Sequence, residues 1–301
     1  MSRIHEALKK AEQERAMSQS PGAIETAPAV LEAPLETTPF LRSEPTEARF
    51  ASGGIAESLA ARSRQTAWNP DLKCMLFFSG EEHGSGMEEF RTLRTRLYQI
   101  REKQPLLSKL LVTSPLPKEG KSFTAANLAQ VIVRQHGKRA LLIDADLRCP
   151  QLHVLVGAEP GPGLSEYLAS ESDEFSILQR GPMENLFLIA AGHRSQNPAE
   201  LLANGRMKFL LERLQPIFDW IIIDSPPAAL VSDAGLLAKY ADGVLLVVRS
   251  NTTPADAARK ARQEFADHNI VGVVLNGITP ELSPYSQYYY SVYSEDGKAK
   301  G

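Results

Sequence analysis

Residues 109–122 read Lys109-Leu-Leu-Val-Thr-Ser-Pro-Leu-Pro-Lys-Glu-Gly-Lys-Ser122, and this stretch decides the fold. An apolar run of strand length breaks into a Pro-containing turn, and Gly120-Lys121-Ser122 opens a helix-length segment. A helix that begins straight after a strand aims its free N–H groups at the turn, where they bind phosphate oxygens. In that setting Gly120 allows close backbone approach, Lys121 reaches the β/γ-phosphates, and the Ser122 hydroxyl ligates Mg²⁺. The pattern G-x-x-x-x-G-K-[ST] would put its first glycine at position 115, where the chain has Pro115. Gly-Lys-Ser alone is common by chance, so support must come from elsewhere.

Two further strand ends supply it. Ala140-Leu-Leu-Ile-Asp144-Ala-Asp146-Leu-Arg148 places two carboxylates and a guanidinium after an apolar run. Ile221-Ile-Ile-Asp224-Ser-Pro-Pro227 ends another such run in an acid. Ligand sites of parallel α/β sheets lie at the carboxyl ends of strands. Asp224 therefore reads as the Walker-B acid that positions Mg²⁺. Turns favour Asp at strand ends for local reasons, but three such segments together favour one phosphate site.

Outward from this centre the pattern is regular. Strand-like runs fall at Lys109–Thr113, Arg139–Asp144, Leu186–Ala190, Trp220–Asp224, Gly243–Val248 and Ile270–Asn276. Helix-period segments lie between them at Lys121–His136, Pro198–Phe218, Ser232–Tyr240 and Pro254–His268. This alternation predicts an α/β three-layer sandwich with a mostly parallel sheet, running from about Gly84 to Pro280. Residues 1–17 predict a short amphipathic helix, with Ile4, Ala7, Leu8 and Ala11 on one side. Alone it is marginal in water and needs a partner surface. Residues 18–83 are rich in Pro, Ala and Glu without sustained apolar period, so they read as a flexible linker, with a short helix possible near Ile55–Arg62.

Composition excludes several classes. A net charge of −3 leaves no basic footprint for nucleic acid. The two cysteines, Cys74 and Cys149, form no CxxC pair, which argues against a disulfide framework or zinc and fits a reducing, cytoplasmic setting. No apolar run approaches the roughly 20 residues of a membrane span, and the N-terminus lacks a secretory apolar core. A membrane role would thus come through a partner. Without an N-K-x-D guanine motif, ATP is the expected nucleotide, with strand-end Asn276 as a base contact.

Together these segments resemble the bacterial tyrosine kinases of the Wzc/CapB/CpsD type, which use a P-loop fold. The resemblance covers about Gly84 to the C-terminus. It rests on Ser114–Ser122, Asp144-Ala-Asp-Leu-Arg148, Ile222-Ile-Asp-Ser-Pro-Pro227, Gly163-Leu-Ser-Glu-Tyr-Leu168, Asn197-Pro-Ala-Glu-Leu-Leu202 and a tyrosine-rich tail. The opening Met1-Ser-Arg-Ile-His-Glu-Ala-Leu-Lys-Lys-Ala11 looks like the start of exosortase-linked members, which act beside exopolysaccharide export. The resemblance implies an ATP- and Mg²⁺-dependent autokinase that phosphorylates tail tyrosines in trans. It gives Lys121, Asp144 and Asp146 catalytic roles, with Asp144 as base. Pro117, Lys118, Glu119, Gly120, Lys121, Ser122, Phe123, Arg148 and Asn276 would surround the nucleotide. Ser122, Asp146 and Asp224 would organise the metal. It further implies a separate membrane chain-length protein (polysaccharide co-polymerase) as activator, recruitment to the inner face of the plasma membrane, a ring or dimer, and an opposing tyrosine phosphatase.

The family usually has glycine where this chain has Lys118, which either adds a cation beside the phosphates or points to solvent. Tyr285, Tyr288, Tyr289, Tyr290 and Tyr293 supply five of eight tyrosines within residues 281–301, read as a flexible substrate tail. Each added phosphate brings nearly two negative charges, so phosphorylation would push the tail away from an acidic site. Glu88, Arg91 and Arg94 match E-x-x-R-x-x-R on a helix that contacts the next subunit in this family. Two other readings remain. One is a MinD/ParA-like ATPase switch, whose loop lysine would fall at Leu116. The other is a nucleotide-binding scaffold without kinase activity.

Overall fold

The computed structural model describes residues 61–78 and 86–278. The N-terminal helix, residues 18–60 and 79–85, and the tyrosine tail lie outside the described residues.

The described residues form one eight-stranded sheet in the order β1-β4-β5-β3-β6-β2-β7-β8. Its strands are β1 (Arg64–Gln65), β2 (Lys109–Thr113), β3 (Ala140–Asp144), β4 (Leu178–Arg180), β5 (Leu186–Ile189), β6 (Trp220–Asp224), β7 (Gly243–Arg249) and β8 (Ile270–Asn276). The pairs from β5 to β8 are all parallel, and β4 runs antiparallel to β5. Alternate side chains go to opposite faces. Leu110, Val112, Leu142 and Ile222 pack under α1 (Met87–Lys103) and α2 (Lys121–Val133). Leu111, Ile143, Ile221 and Ile223 meet the other layer, built from α4 (Leu164–Leu168), α5 (Pro198–Ala203), α6 (Arg206–Leu214), α7 (Asp233–Ala238) and α8 (Ala255–Glu264). Both faces are covered, which is why the central strands are continuous apolar runs.

Helix α2 is buried on nearly every side, as its apolar and small residues require. Its Asn127 anchors an element that the sequence reading placed in the linker. The Asn127 amide donates to the Cys74 carbonyl at 2.8 Å, and its Oδ1 accepts the Leu76 N–H at 2.9 Å. Residues 64–78 thus differ from the linker reading: they contribute β1 and bury Trp68, Met75 and Phe77. Their few apolar side chains fit no period, so only the long-range contact with α2 reveals them. The single helix expected over Pro198–Phe218 is two, α5 and α6, because Gly205 adopts φ 83° and breaks the ladder.

The loop after the short helix α3 (Leu152–Val156) leads into α4, where Glu166 closes a capping box. Its carboxylate accepts the Gly163 N–H at 2.6 Å and the His193 N–H at 2.8 Å. Burial opposes the charge, but these backbone donors outweigh it and hold Glu166 down at about 2. A depressed carboxylate stabilises above its unfolded value and loses that contribution as pH falls through the folded one. Glu166→Gln is expected to cost about 1.5–3 kcal/mol near neutrality. In urea titrations the gap to wild type should close between pH 4.5 and about 2.

Candidate active site

Strand register brings the acids together. β3 and β6 are neighbours, and Asp144 pairs in register with Asp224. β2, on the other side of β6, delivers the loop 114–120 to the same sheet edge. The Ala228 N–H donates to the Ser114 carbonyl at 2.8 Å, tying that loop to the segment after β6.

The Lys121 ammonium lies 2.9 Å from Asp146 Oδ2 and 3.7 Å from Asp224 Oδ1. It also donates to Ser122 Oγ at 3.2 Å. The Ser122 hydroxyl donates to Asp224 Oδ2 at 2.5 Å. Asp144 is fully buried. Its Oδ1 accepts the Asp146 N–H, and its Oδ2 accepts those of Gln151 and Leu152 at 3.1 and 2.9 Å. Three carboxylates therefore surround one buried ammonium. Burial first, and the charge of Asp224 second, push Asp144 up to about 8. Burial pushes Asp224 up to about 6, against the pull of Lys121 and Ser122. Burial alone would lower Lys121, but Asp224 and Asp146 reverse the sign and raise it.

The excess negative charge fits a divalent cation. Asp224 Oδ1 is a buried acceptor without a hydrogen-bond donor, and Lys121 reaches it only at ion-pair distance. Among the described residues no cluster of three or more His, Cys, Asp or Glu could hold a metal alone. One hydroxyl and one or two carboxylates, completed by phosphate oxygens and water, is instead the donor set suited to Mg²⁺ with a nucleotide. Two surface cavities, of about 620 and 710 Å³, include none of these residues.

The other expected residues divide. Gly120 has φ 95°, and the helix α2 starts directly on it. Pro117 and Lys118 are exposed at the loop tip. Lys118 sits at φ 63°, in the left-handed region that favours glycine. That explains why glycine suits this position. Lys118→Gly is expected to raise unfolding stability by about 0.5–1 kcal/mol. A fall on chemical denaturation would show that the lysine side chain makes a compensating contact. Phe123 lays its ring edge-on against Phe90 of α1, with centroids 5.7 Å apart. Arg148 makes a two-pronged pair with the buried Asp233, at 2.7 and 2.9 Å. Glu119 turns aside, as described below, and Asn276 donates to its carbonyl at 3.0 Å. On α1, Glu88 and Arg91 pair with each other, with Glu88 exposed. Arg94 is drawn inward and donates to the Val131 carbonyl at 2.8 Å.

Asp233, Arg249 and Thr253 were not legible as site residues. Each acts on a partner at least 85 residues away, and none belongs to a motif.

Comparison with known proteins agrees with this geometry. Residues 110–289 match the CobQ/CobB/MinD/ParA nucleotide binding domain family. The chain is 38% identical over 205 residues to tyrosine-protein kinase YwqD of Bacillus subtilis, covering 67% of this chain and 85% of that protein. It is 36% identical over 207 residues to tyrosine-protein kinase etk of Escherichia coli, covering 68% of this chain but 28% of that longer relative. The solved kinase domain of Escherichia coli tyrosine kinase ETK matches with TM-score 0.60 and 34% identity, over 64% of this chain and 76% of that one. With its nucleotide-binding fold and its buried lysine–carboxylate cluster, the chain belongs to the bacterial tyrosine-protein kinase family.

Proposed function

We propose that this chain is an ATP-dependent tyrosine autokinase that transfers the γ-phosphoryl group to Tyr285, Tyr288, Tyr289, Tyr290 or Tyr293 of a second copy. The observation that supports it most is the convergence of Lys121, Ser122, Asp146 and Asp224 at one sheet edge. Bound there, Mg²⁺ would neutralise charge on the β- and γ-phosphate oxygens. Ser122, Asp146 and Asp224 would hold that ion. The free N–H groups at the start of α2 would take phosphate oxygens, and Lys121 would exchange a carboxylate contact for one to the β/γ-phosphates. The tyrosine oxygen bonds to the γ-phosphorus as the bond to the β-phosphate oxygen breaks, and ADP leaves. The tyrosine proton passes to Asp144, whose raised proton affinity suits a base near neutral pH.

In this reading Glu88 and Arg91 face the neighbouring subunit of a ring or dimer. A separate membrane chain-length protein activates the kinase at the inner face of the plasma membrane, beside exopolysaccharide export. A tyrosine phosphatase reverses the modification. Among the described residues no helix is long and apolar enough to cross a membrane.

Transfer in trans has a direct test. A variant with all five tail tyrosines changed to Phe is mixed with Lys121→Met and Mg-ATP. Phosphotyrosine should appear on the Lys121→Met chain; a blank there, with wild type self-labelling, would mean transfer in cis.

A further inference from the structure

The phosphate loop carries an acid, Glu119, where an anion is to bind. The structure turns that charge away: Glu119 is 2% exposed. Its Oε2 accepts the Leu116 N–H at 2.8 Å, which closes the loop on itself. Its Oε1 accepts the hydroxyl of Thr253 from the turn after β7. The Glu119 carbonyl accepts the Asn276 amide at 3.0 Å, from the end of β8. One residue back, the Lys118 carbonyl accepts Arg249 Nη1 at 3.0 Å. One residue forward, a Cβ on Gly120 would lie 2.0 Å from Asn276 Nδ2, so Asn276 rests directly against that glycine.

Three consecutive loop residues are thus held from the β7–β8 side, and the consequence follows from peptide geometry. In a trans peptide the C=O and the following N–H point in opposite directions. Pinning the carbonyls of Lys118 and Glu119 towards β7 and β8 turns the N–H groups of Glu119 and Gly120 the other way. In the sheet order β3-β6-β2-β7-β8 that way faces β6 and β3, where Lys121, Asp146 and Asp224 converge. The left-handed backbone at Lys118 and Gly120 alternates as in an anion-binding nest.

We propose that Thr253 and Asn276, supported by Arg249, are positioning residues that fix the phosphate-binding N–H groups by holding Glu119 and the loop carbonyls. Arg249 serves twice, since its backbone N–H also donates to Thr253 Oγ1 at 3.0 Å. The inference rests on the nucleotide-site reading above, but it assigns Asn276 to the loop rather than to the base.

The test uses the full chain and two probes in Mg²⁺ buffer, ATP and inorganic tripolyphosphate, which has no base. By titration calorimetry, Thr253→Val and Asn276→Ala should each weaken both probes by about 10-fold or more. Thr253→Ser, which keeps the hydroxyl, should stay within about 3-fold of wild type. Phosphotransfer at saturating ATP should change much less than the apparent KM in the Thr253 variants. Unchanged tripolyphosphate affinity in both Thr253→Val and Asn276→Ala, with wild-type circular dichroism, would overturn the proposal. Loss of ATP affinity alone in Asn276→Ala would also overturn it, returning that residue to base contact. Wild type that binds neither probe would instead defeat the nucleotide-site reading itself.

Discussion

Lys121→Met is expected to reduce tyrosine phosphorylation by at least about 100- to 1,000-fold, the scale of removing one preorganised charge-stabilising donor. The same substitution leaves Asp146 and Asp224 without their shared ammonium, at 2.9 and 3.7 Å in the native site. Breaking a buried ion pair costs on the order of 3–5 kcal/mol, so the variant should also melt earlier. The sign of its pH dependence is fixed by the acids. Asp224 already titrates near 6 with Lys121 present, and losing the cation raises it further. Below that value the carboxyl is neutral and the penalty is relieved; above it the ionised form is stranded. The melting deficit of Lys121→Met should therefore be smaller at pH 5.5 than at pH 8. Equal deficits at both would mean that the ammonium is not what offsets these acids. Because destabilisation alone can silence an enzyme, activity is compared at a temperature where both proteins are folded.

Asp224→Asn is expected to separate function from stability in the opposite direction. The wild-type centre keeps a buried oxygen, Asp224 Oδ1, without a donor, beside two other carboxylates. Such an arrangement is costly unless a cation joins it. The amide preserves shape and an acceptor for the Ser122 hydroxyl while removing one negative charge, and Lys121 keeps Asp146 at 2.9 Å. Without nucleotide, Asp224→Asn should melt at or above the wild-type temperature. Its phosphotransfer should nevertheless fall by about 100- to 1,000-fold, because a charged metal-binding oxygen is gone. The melting increase that Mg-ATP gives to wild type should be largely lost. A variant both less stable and still able to gain from Mg-ATP would contradict the metal role.

The contrast between what was legible and what was not has a physical origin. Six strands were readable as apolar runs: the inner ones, such as Trp220–Asp224 and Gly243–Arg249, are buried on both faces, and the edge strand Ile270–Asn276 is apolar but partly exposed. The site's centre was readable for a related reason. Asp144 and Asp224 close strands in register with each other, so a strand-end motif locates them without knowledge of the turns. β1 and β4 escaped because two- and three-residue strands carry no period. The split between α5 and α6 depends on one residue, Gly205, that a helical pattern tolerates. Arg148 was expected beside the nucleotide; its pairing with the buried Asp233, 85 residues on, is a contact the sequence does not show. The support of the phosphate loop by Arg249, Thr253 and Asn276 is likewise a tertiary fact. Glu119 looked like part of the cradle, and only the fold shows its carboxylate turned to Leu116 and Thr253.

Tyrosine phosphorylation by this site can be read directly. The most direct measurement is phosphosite mapping by mass spectrometry on the full chain after incubation with Mg-ATP, with Lys121→Met run in parallel. Phosphotyrosine is expected among Tyr285, Tyr288, Tyr289, Tyr290 and Tyr293 in wild type and nowhere in the variant. ATP turnover to free phosphate with no phosphotyrosine, or equal tail phosphorylation in both chains, would contradict it.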